Sequence, residues 1–414
     1  MSRAIAFCFL LLAAVLGFLH IDSQPVWAPF EIPLIQALEE EQNQSSSIKK
    51  SSQATSKLAV AHPQLAWLPD TGAASVHAAS LIALKDGSIR AFWFAGSREG
   101  APDVVINSAV YSPTSSTWGA PVVVMDRVAA EKGLSRYIAK LGNPVPSRSA
   151  DGRLQLFFVT VSIGGWAGSS ISTISSDNEG LTWTRPRRLI TSPFINLSTL
   201  VKSPTIQFAD GRLGLPAYHE WIGRFGEFLR IESDRVIDKR RMSSGRGAIQ
   251  PIVFVDGAQQ ASAYFRQTRS GSEAKQIPTS ETHNAGQTWT AIGDTEIPNP
   301  NSAIAALALA NGTRLLVLNN LEAGRHRLVL MLADPATSDK AKQWRVVQVL
   351  EDDEALPGEQ RREFSYPYLI TADGSDAHLV YTWDRKKIRH IHFGADWLAQ
   401  LQSHLKDGQL EGEK

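Results

Sequence analysis

Two sets of side chains able to do chemistry recur at set distances from a turn signal. Asp-Gly or Asn-Gly pairs stand at Asp86-Gly87, Asp151-Gly152, Asp210-Gly211, Asp256-Gly257, Asn311-Gly312 and Asp373-Gly374. Seven to nine residues before each pair come His77, Asn143, Lys202, Ala248, Ser302 and Tyr366. A strand's length after the pairs come Arg98 to Asp103, Trp166, Tyr218-His219-Glu220, Arg266, Asn319-Asn320 and Trp383-Asp384-Arg385. Carboxylates, imidazoles, a phenol and guanidinium groups gathered in one place can move protons, attack an electrophile and hold an anion.

The elements that must position them are hairpins. Each pair divides two strand-like runs, as in SLIAL and IRAFWF or PIVFV and ASAYF, and the pairs follow one another 46 to 65 residues apart. Such a turn-centred unit repeated six times is the pattern of a six-bladed β-propeller, an all-β fold in which each blade is a four-stranded sheet. The innermost strand of a blade starts at the central funnel and the second strand returns to the same face. Both sets of residues are therefore expected around one opening, and a polar and aromatic lining of that kind is the pattern of a binding pocket.

A second repeat runs out of phase with the first. Ser176-Asp-Asn178-Glu-Gly180-Leu-Thr182-Trp183 and Thr282-His-Asn284-Ala-Gly286-Gln-Thr288-Trp289 share the frame S/T-x-N-x-G-x-T-W, with weaker copies at Ser112–Trp118 and before Trp344. Asn and Ser/Thr side chains can tie off a turn's backbone, Gly supplies positive φ, and Trp fastens the turn to the blade edge. The role is structural. These frames resemble the Asp-boxes of the sialidase superfamily, with Asn in the usual Asp place, and together with the six hairpins the resemblance spans about residues 60–395.

The resemblance implies a set of roles. SYPYL before the last hairpin is similar to the last-blade motif whose tyrosine is the nucleophile, which makes Tyr366 the candidate. A neutral phenol avoids the repulsion that a carboxylate would meet at an anionic sugar, but it needs a neighbouring base. The family's basic Glu aligns with Ala248, so Glu220 in AYHEW is the expected substitute. Asp103, five residues after Arg98, resembles the loop acid/base. Of three arginines that clamp the substrate carboxylate, Arg266 matches the second, and Arg325 or Arg327 in GRHRLVLML is the third. His77 stands where the family opens its first blade with arginine. Arg98, His219, Trp166 and Gln250 complete the expected substrate contacts. Each residue also has a bland reading: a packed strand tyrosine, a solvated rim carboxylate, an Arg98–Asp103 loop salt bridge, surface ion pairs.

The implied function is an exo-glycosidase of sialidase type acting on an acidic sugar. Two alternatives stand beside it: a glycan-binding propeller without turnover, and a polysaccharide lyase using His77 and Tyr366 on uronate polymers. No cofactor and no metal site is expected. Cys8 is the sole cysteine, so the rest of the chain has no disulfide and no thiolate-held zinc. A net charge of +1 gives no reason to expect nucleic acid.

The flanks differ in composition. Residues 4–19 form an apolar run of export-signal or anchor size within a segment 1–28, which places the folded part outside the cytoplasm with membrane contact only through this segment. Residues 29–57 read as a linker, 58–398 as the propeller and 399–414 as a polar tail, with a short helix over Asp396–Leu405.

Overall fold

The computed structural model describes residues 3–22, 26–32, 62–192, 196–269, 275–333 and 344–406. Within these, antiparallel strands form six sheets of four or five strands, and five of the sheets are each built from one stretch of chain. The fold is a six-bladed β-propeller. The inner strands of the first, second, fourth, fifth and sixth blades are Ser75–Ala83, Lys140–Arg148, Ala248–Val255, Ala305–Ala308 and Phe364–Ile370. In the third blade two short strands, Leu200–Val201 and Ile206–Gln207, share that place.

The ring is closed by the two ends of the domain. Gln64–Trp67 joins the last blade as its outermost strand, pairing Gln64 with His392 and Trp67 with Arg389. It covers the edge of Lys387–Phe393 and ties the start of the domain to its last blade. Strands buried on both faces carry runs such as Leu154–Val161, wholly buried, because each sheet packs against neighbours on both sides. The helix expected at the C-terminus spans Ala395–Lys406 and lays Trp397, Leu398 and Leu401 into the core shared by the fifth and sixth blades.

The Asp-Gly and Asn-Gly turns lie at one end of the propeller, with φ between 77° and 86° at Gly87, Gly152, Gly211, Gly312 and Gly374. The two Asn frames close almost identically. The Asn178 Oδ1 accepts from the Thr182 N–H and its Nδ2 donates to the Thr182 hydroxyl, both at 2.9 Å. Asn284 does the same with Thr288, also at 2.9 Å.

Residues 26–32 do not begin a linker. Phe30 stacks on Phe208 with ring centroids 5.2 Å apart, and Trp27 donates its indole N–H to Asp238 at 2.8 Å. Both are 2% exposed, so this segment belongs to the propeller's core. The expected linker and polar tail otherwise fall mostly outside the described residues. The helix Arg3–Asp22 carries exposed Phe7, Phe9, Leu10 and Leu11. No helix among the described residues is long and apolar enough to cross a membrane.

Candidate functional site

Four inner strands slip register at the same place, between His77 and Ser80, Gly142 and Val145, Ile249 and Ile252, and Ser365 and Tyr368. The first bulged residue in each is left-handed: Ala78 (φ 51°), Asn143 (40°), Gln250 (50°) and Tyr366 (54°). In three of the four a proline follows, at Pro144, Pro251 and Pro367. Proline lacks the N–H that a regular ladder would use, and a bulge both tolerates it and re-aims the preceding side chain. The bulges make Ala78, Asn143, Gln250 and Tyr366 equivalent around the axis. The sequence alignment is corrected here: Gln250, not Ala248, stands opposite Tyr366, and Ala78, not His77, holds the first-blade position.

Gln250 links the ring. Its Nε2 donates to the Tyr366 hydroxyl at 3.1 Å and to the Tyr218 hydroxyl at 3.2 Å. Asn143 Nδ2 also donates to Tyr218, at 3.3 Å. Arg266 reaches in from the second strand of the fourth blade, its Nη1 3.4 Å from both the Tyr366 hydroxyl and the Gln250 Oε1. Its Nε is anchored by Asn301 Oδ1 at 2.8 Å. Tyr366 thus has donors around its oxygen, and burial with the neighbouring Tyr366 and Glu220 holds the Tyr218 phenol well above its usual range.

A charged arc borders this ring. Glu363 takes Arg325 at 3.1 Å, Arg385 at 3.1 Å and the Ser365 hydroxyl at 2.6 Å, while Arg385 also reaches Glu99 at 2.5 Å. Burial pushes the Glu363 carboxyl up, but its bonds to Arg385 and Ser365 and the Arg325 charge outweigh it and bring the group down to about 2. Arg325 is further fixed by the Asn301 carbonyl at 3.0 Å. Asn301 therefore holds two arginines, Arg266 by its side chain and Arg325 by its backbone.

Glu220 lies near this cluster, with a raised pKa. Burial raises it, Arg266 and Arg224 lower it in part, and Glu99 raises it again. It also lines a cleft of about 460 Å³ with Trp221, Arg224 and Arg246. Lys202 sits deeper, where its ammonium donates to the carbonyls of Ile304 and Pro367, each at 2.6 Å. Burial and the Arg266 charge draw its pKa down to about 7.

Other expected residues are placed differently. His77 packs under the Tyr366 ring, centroids 4.3 Å apart, and is 1% exposed. Neither of its nitrogens has a hydrogen-bond partner among the described residues. Burial brings its pKa down to about 4, against the opposing pull of Glu99. So placed it offers no nitrogen to a ligand, and the lyase reading loses its base. Arg327 faces Asp352 at 3.5 Å and Glu354 at 3.2 Å, which leaves Arg325 as the arginine of the arc. Asp103 is exposed and folds back on its own loop, accepting from the Ser97 N–H at 2.8 Å and hydroxyl at 2.9 Å. Those bonds hold its carboxyl below the usual range, which suits an anion and not a proton donor. Arg98 is exposed on that loop. His219 stacks on Phe225 at 4.9 Å. Trp166 lies over Gly142, where a Cβ would come within 2.7 Å of the indole, and beneath the Lys140 ammonium.

The sequence reading missed Glu363 and Asn301. Glu363 precedes Tyr366 by three residues, but its arginine partners come from the fifth blade, Arg325, and from the turn after the second strand of its own blade, Arg385. The X-Pro steps at Asn143, Gln250 and Tyr366 were the available signal for the bulges.

A six-bladed ring with Asn-type Asp-boxes and this funnel defines a sialidase-like propeller, a fold suited to a glycan-related function. The BNR repeat-like domain profile matches residues 87–379, and the chain belongs to that family. Among solved structures, a protein of unknown function from Dyadobacter fermentans is similar with a TM-score of 0.62 and 13% identity, covering 80% of this chain and 98% of that one. The NanB sialidase of Streptococcus pneumoniae aligns with a TM-score of 0.60 and 12% identity over 86% of this chain and 72% of its own. A leech intramolecular trans-sialidase, complexed with 2,7-anhydro-Neu5Ac, gives 0.59 and 13% over 88% and 73%. At such identities the likeness is one of fold. No curated protein matches the chain.

Proposed function

We propose that the funnel binds an acidic terminal sugar of a glycan or polysaccharide outside the cytoplasm and hydrolyses its glycosidic bond, as an exo-glycosidase of sialidase type. The observation that carries this reading is the meeting of the Tyr366 hydroxyl with Arg266, 3.4 Å away, next to the Arg325 and Arg385 arc. Planar guanidinium forks are suited to a sugar carboxylate, and a phenol beside them is suited to attack the anomeric carbon. In that step the tyrosyl oxygen forms a bond to the anomeric carbon as the bond to the leaving oxygen breaks. Glu220 is the carboxylate assigned to take the phenol's proton, and the leaving oxygen takes a proton from solvent. Water then cleaves the sugar from Tyr366 and restores the phenol. The apolar segment Arg3–Asp22 is the part that directs export or anchors the chain.

A second reading, binding without turnover, is favoured by Gln250: an amide beside the phenol cannot accept its proton. One experiment separates the two. The full chain is incubated with fluorogenic glycosides of sialic and uronic acids, and binding is followed by calorimetry. Hydrolysis that falls more than about a thousandfold in Tyr366→Phe supports the enzyme. Binding without product, abolished in Arg266→Ala, supports the glycan-binding protein. Neither product nor binding overturns both.

A further inference from the structure

The last blade carries a second polar cluster, at the other end of the strands that begin at Tyr366. His378 pairs with Ile370 near the Asp373-Gly374 turn, and it lies opposite His392 on the next strand. His390, two residues before His392, shares its face. Asp376 closes the turn, its Oδ1 accepting from the Ala372 N–H at 2.8 Å and the Thr371 hydroxyl at 3.1 Å. Its other oxygen, Oδ2, lies 3.1 Å from His378 Nε2 and 3.2 Å from His392 Nε2.

We propose that Asp376, His378 and His392 form a binding site for a divalent zinc-like metal ion. The three ligand atoms lie within 4.8 Å of one another. Ligands held at zinc's bond lengths of about 2.0–2.2 Å in a tetrahedron stand roughly 3.3 Å apart, close to the 3.1 and 3.2 Å from the Asp376 oxygen to the two imidazole nitrogens. Two imidazole nitrogens and one carboxylate oxygen form a donor set that suits zinc and leaves a fourth position open. The absence of cysteine from the propeller excludes only thiolate sites, so this set lies outside the sequence expectation.

The surroundings fit a ligand role. Asp376 is 8% exposed, and its ion-pair partners among the described residues are these two imidazoles. His378 Nδ1 lies 3.0 Å from His390 Nε2. An ion on His378 Nε2 puts that ring's proton on Nδ1, and His390 Nε2 accepts it, the outer contact that metal-bound imidazoles generally have. His390 then carries its own proton on Nδ1, a buried nitrogen without a hydrogen-bond partner among the described residues. The edges of its ring meet Tyr111 and Trp118 in T-shaped contacts with centroids 4.7 and 5.2 Å away. The His378 and His392 rings lie parallel, 4.2 Å apart, so that joint ligation of one ion turns at least one ring out of this stack.

The site would tie the final turn to the strand that receives Gln64–Trp67, where the ring closes. It is independent of the glycan reading and lies away from the residues that reading uses.

The test uses the full chain, stripped with EDTA and dialysed against Zn²⁺. The expected result is about one zinc per chain by mass spectrometry, a rise in melting temperature on zinc addition, and visible bands of four-coordinate cobalt when Co²⁺ is substituted. Asp376→Asn and His392→Gln should each weaken binding at least tenfold, and His283→Gln, at an exposed histidine, should not. His392 is partly exposed, so its variant keeps the test open if Asp376→Asn fails to fold. Absence of stoichiometric zinc in the wild type, or zinc retained by the His392 variant at wild-type affinity, overturns the proposal.

Discussion

The Gln250 amide donates to the Tyr366 hydroxyl at 3.1 Å, so the group nearest the candidate nucleophile is a neutral donor. If Tyr366 is a nucleophile, what it lacks at that position is a base. Gln250→Glu supplies one with little change in shape. A positioned general base is worth about 10²–10⁴ in rate, and even with an imperfect fit at least a tenfold rise in kcat on a reactive acidic glycoside is expected. The assay is steady-state kinetics of the folded variant. No gain in rate, with the Arg266 contacts intact, would show that position 250 does not limit proton removal from Tyr366.

Charge in the funnel depends on Glu220. Burial raises its pKa above the usual carboxylate value, so it gains its proton at higher pH than a free glutamate. Below that pKa the arginines face one negative charge fewer, and an anionic ligand binds more tightly. Affinity should therefore rise as pH falls through the raised pKa, and Glu220→Gln should flatten the profile at the tighter value. Calorimetry over a pH series taken from neutral down through the carboxylate range reads this directly. A wild-type profile that stays flat would separate Glu220 from the ligand.

His77 makes stability depend on acid. Its folded pKa, about 4, lies below the ordinary 6.5 because burial excludes the charged form. Between those values the unfolded chain binds more protons, so stability is full above pH 6.5 and is lost as pH falls toward 4. A shift of that size corresponds to about 3 kcal/mol. His77→Phe should reduce the loss, since a phenyl ring does not protonate. Urea unfolding at pH 7 and pH 4.5 for both proteins checks it, and equal slopes would exclude His77 as the cause.

The fold was legible because its punctuation is local. Each Asp-Gly turn and each Asn frame specifies itself within eight residues, and six at blade spacing suffice for a propeller. Tyr366 and Arg266 were legible for the same reason, since each sits at a fixed distance from a turn. Gln250 was expected as a contact, but its place opposite Tyr366 was not legible, because a two-residue bulge shifts the side chain that faces the axis, and counting back from Asp256-Gly257 assumes a regular strand. The Arg325–Glu363–Arg385–Glu99 arc was hidden more deeply. It joins three blades, and no spacing along the chain encodes which loops meet across the funnel.

Trp27 and Phe30 make a prediction about the chain's start. Trp27 meets Phe208 edge-on at 5.6 Å, and Phe30 stacks on the other side of that cluster. The backbone follows suit, with the Phe30 N–H bonded to the Ala258 carbonyl at 2.8 Å and the Glu31 N–H to the Gln207 carbonyl at 2.9 Å. Loss of a buried aromatic side chain costs about 3–5 kcal/mol, and Trp27→Ala should fall in that range by denaturant unfolding. A chain starting at residue 24 should unfold like the intact one, and a chain starting at residue 33 should lose at least as much as Trp27→Ala. Removal of the apolar segment is thus compatible with the full stability of the propeller only when the cut lies before Trp27. Equal stability of the two shortened chains would show that this docked segment contributes nothing to the fold.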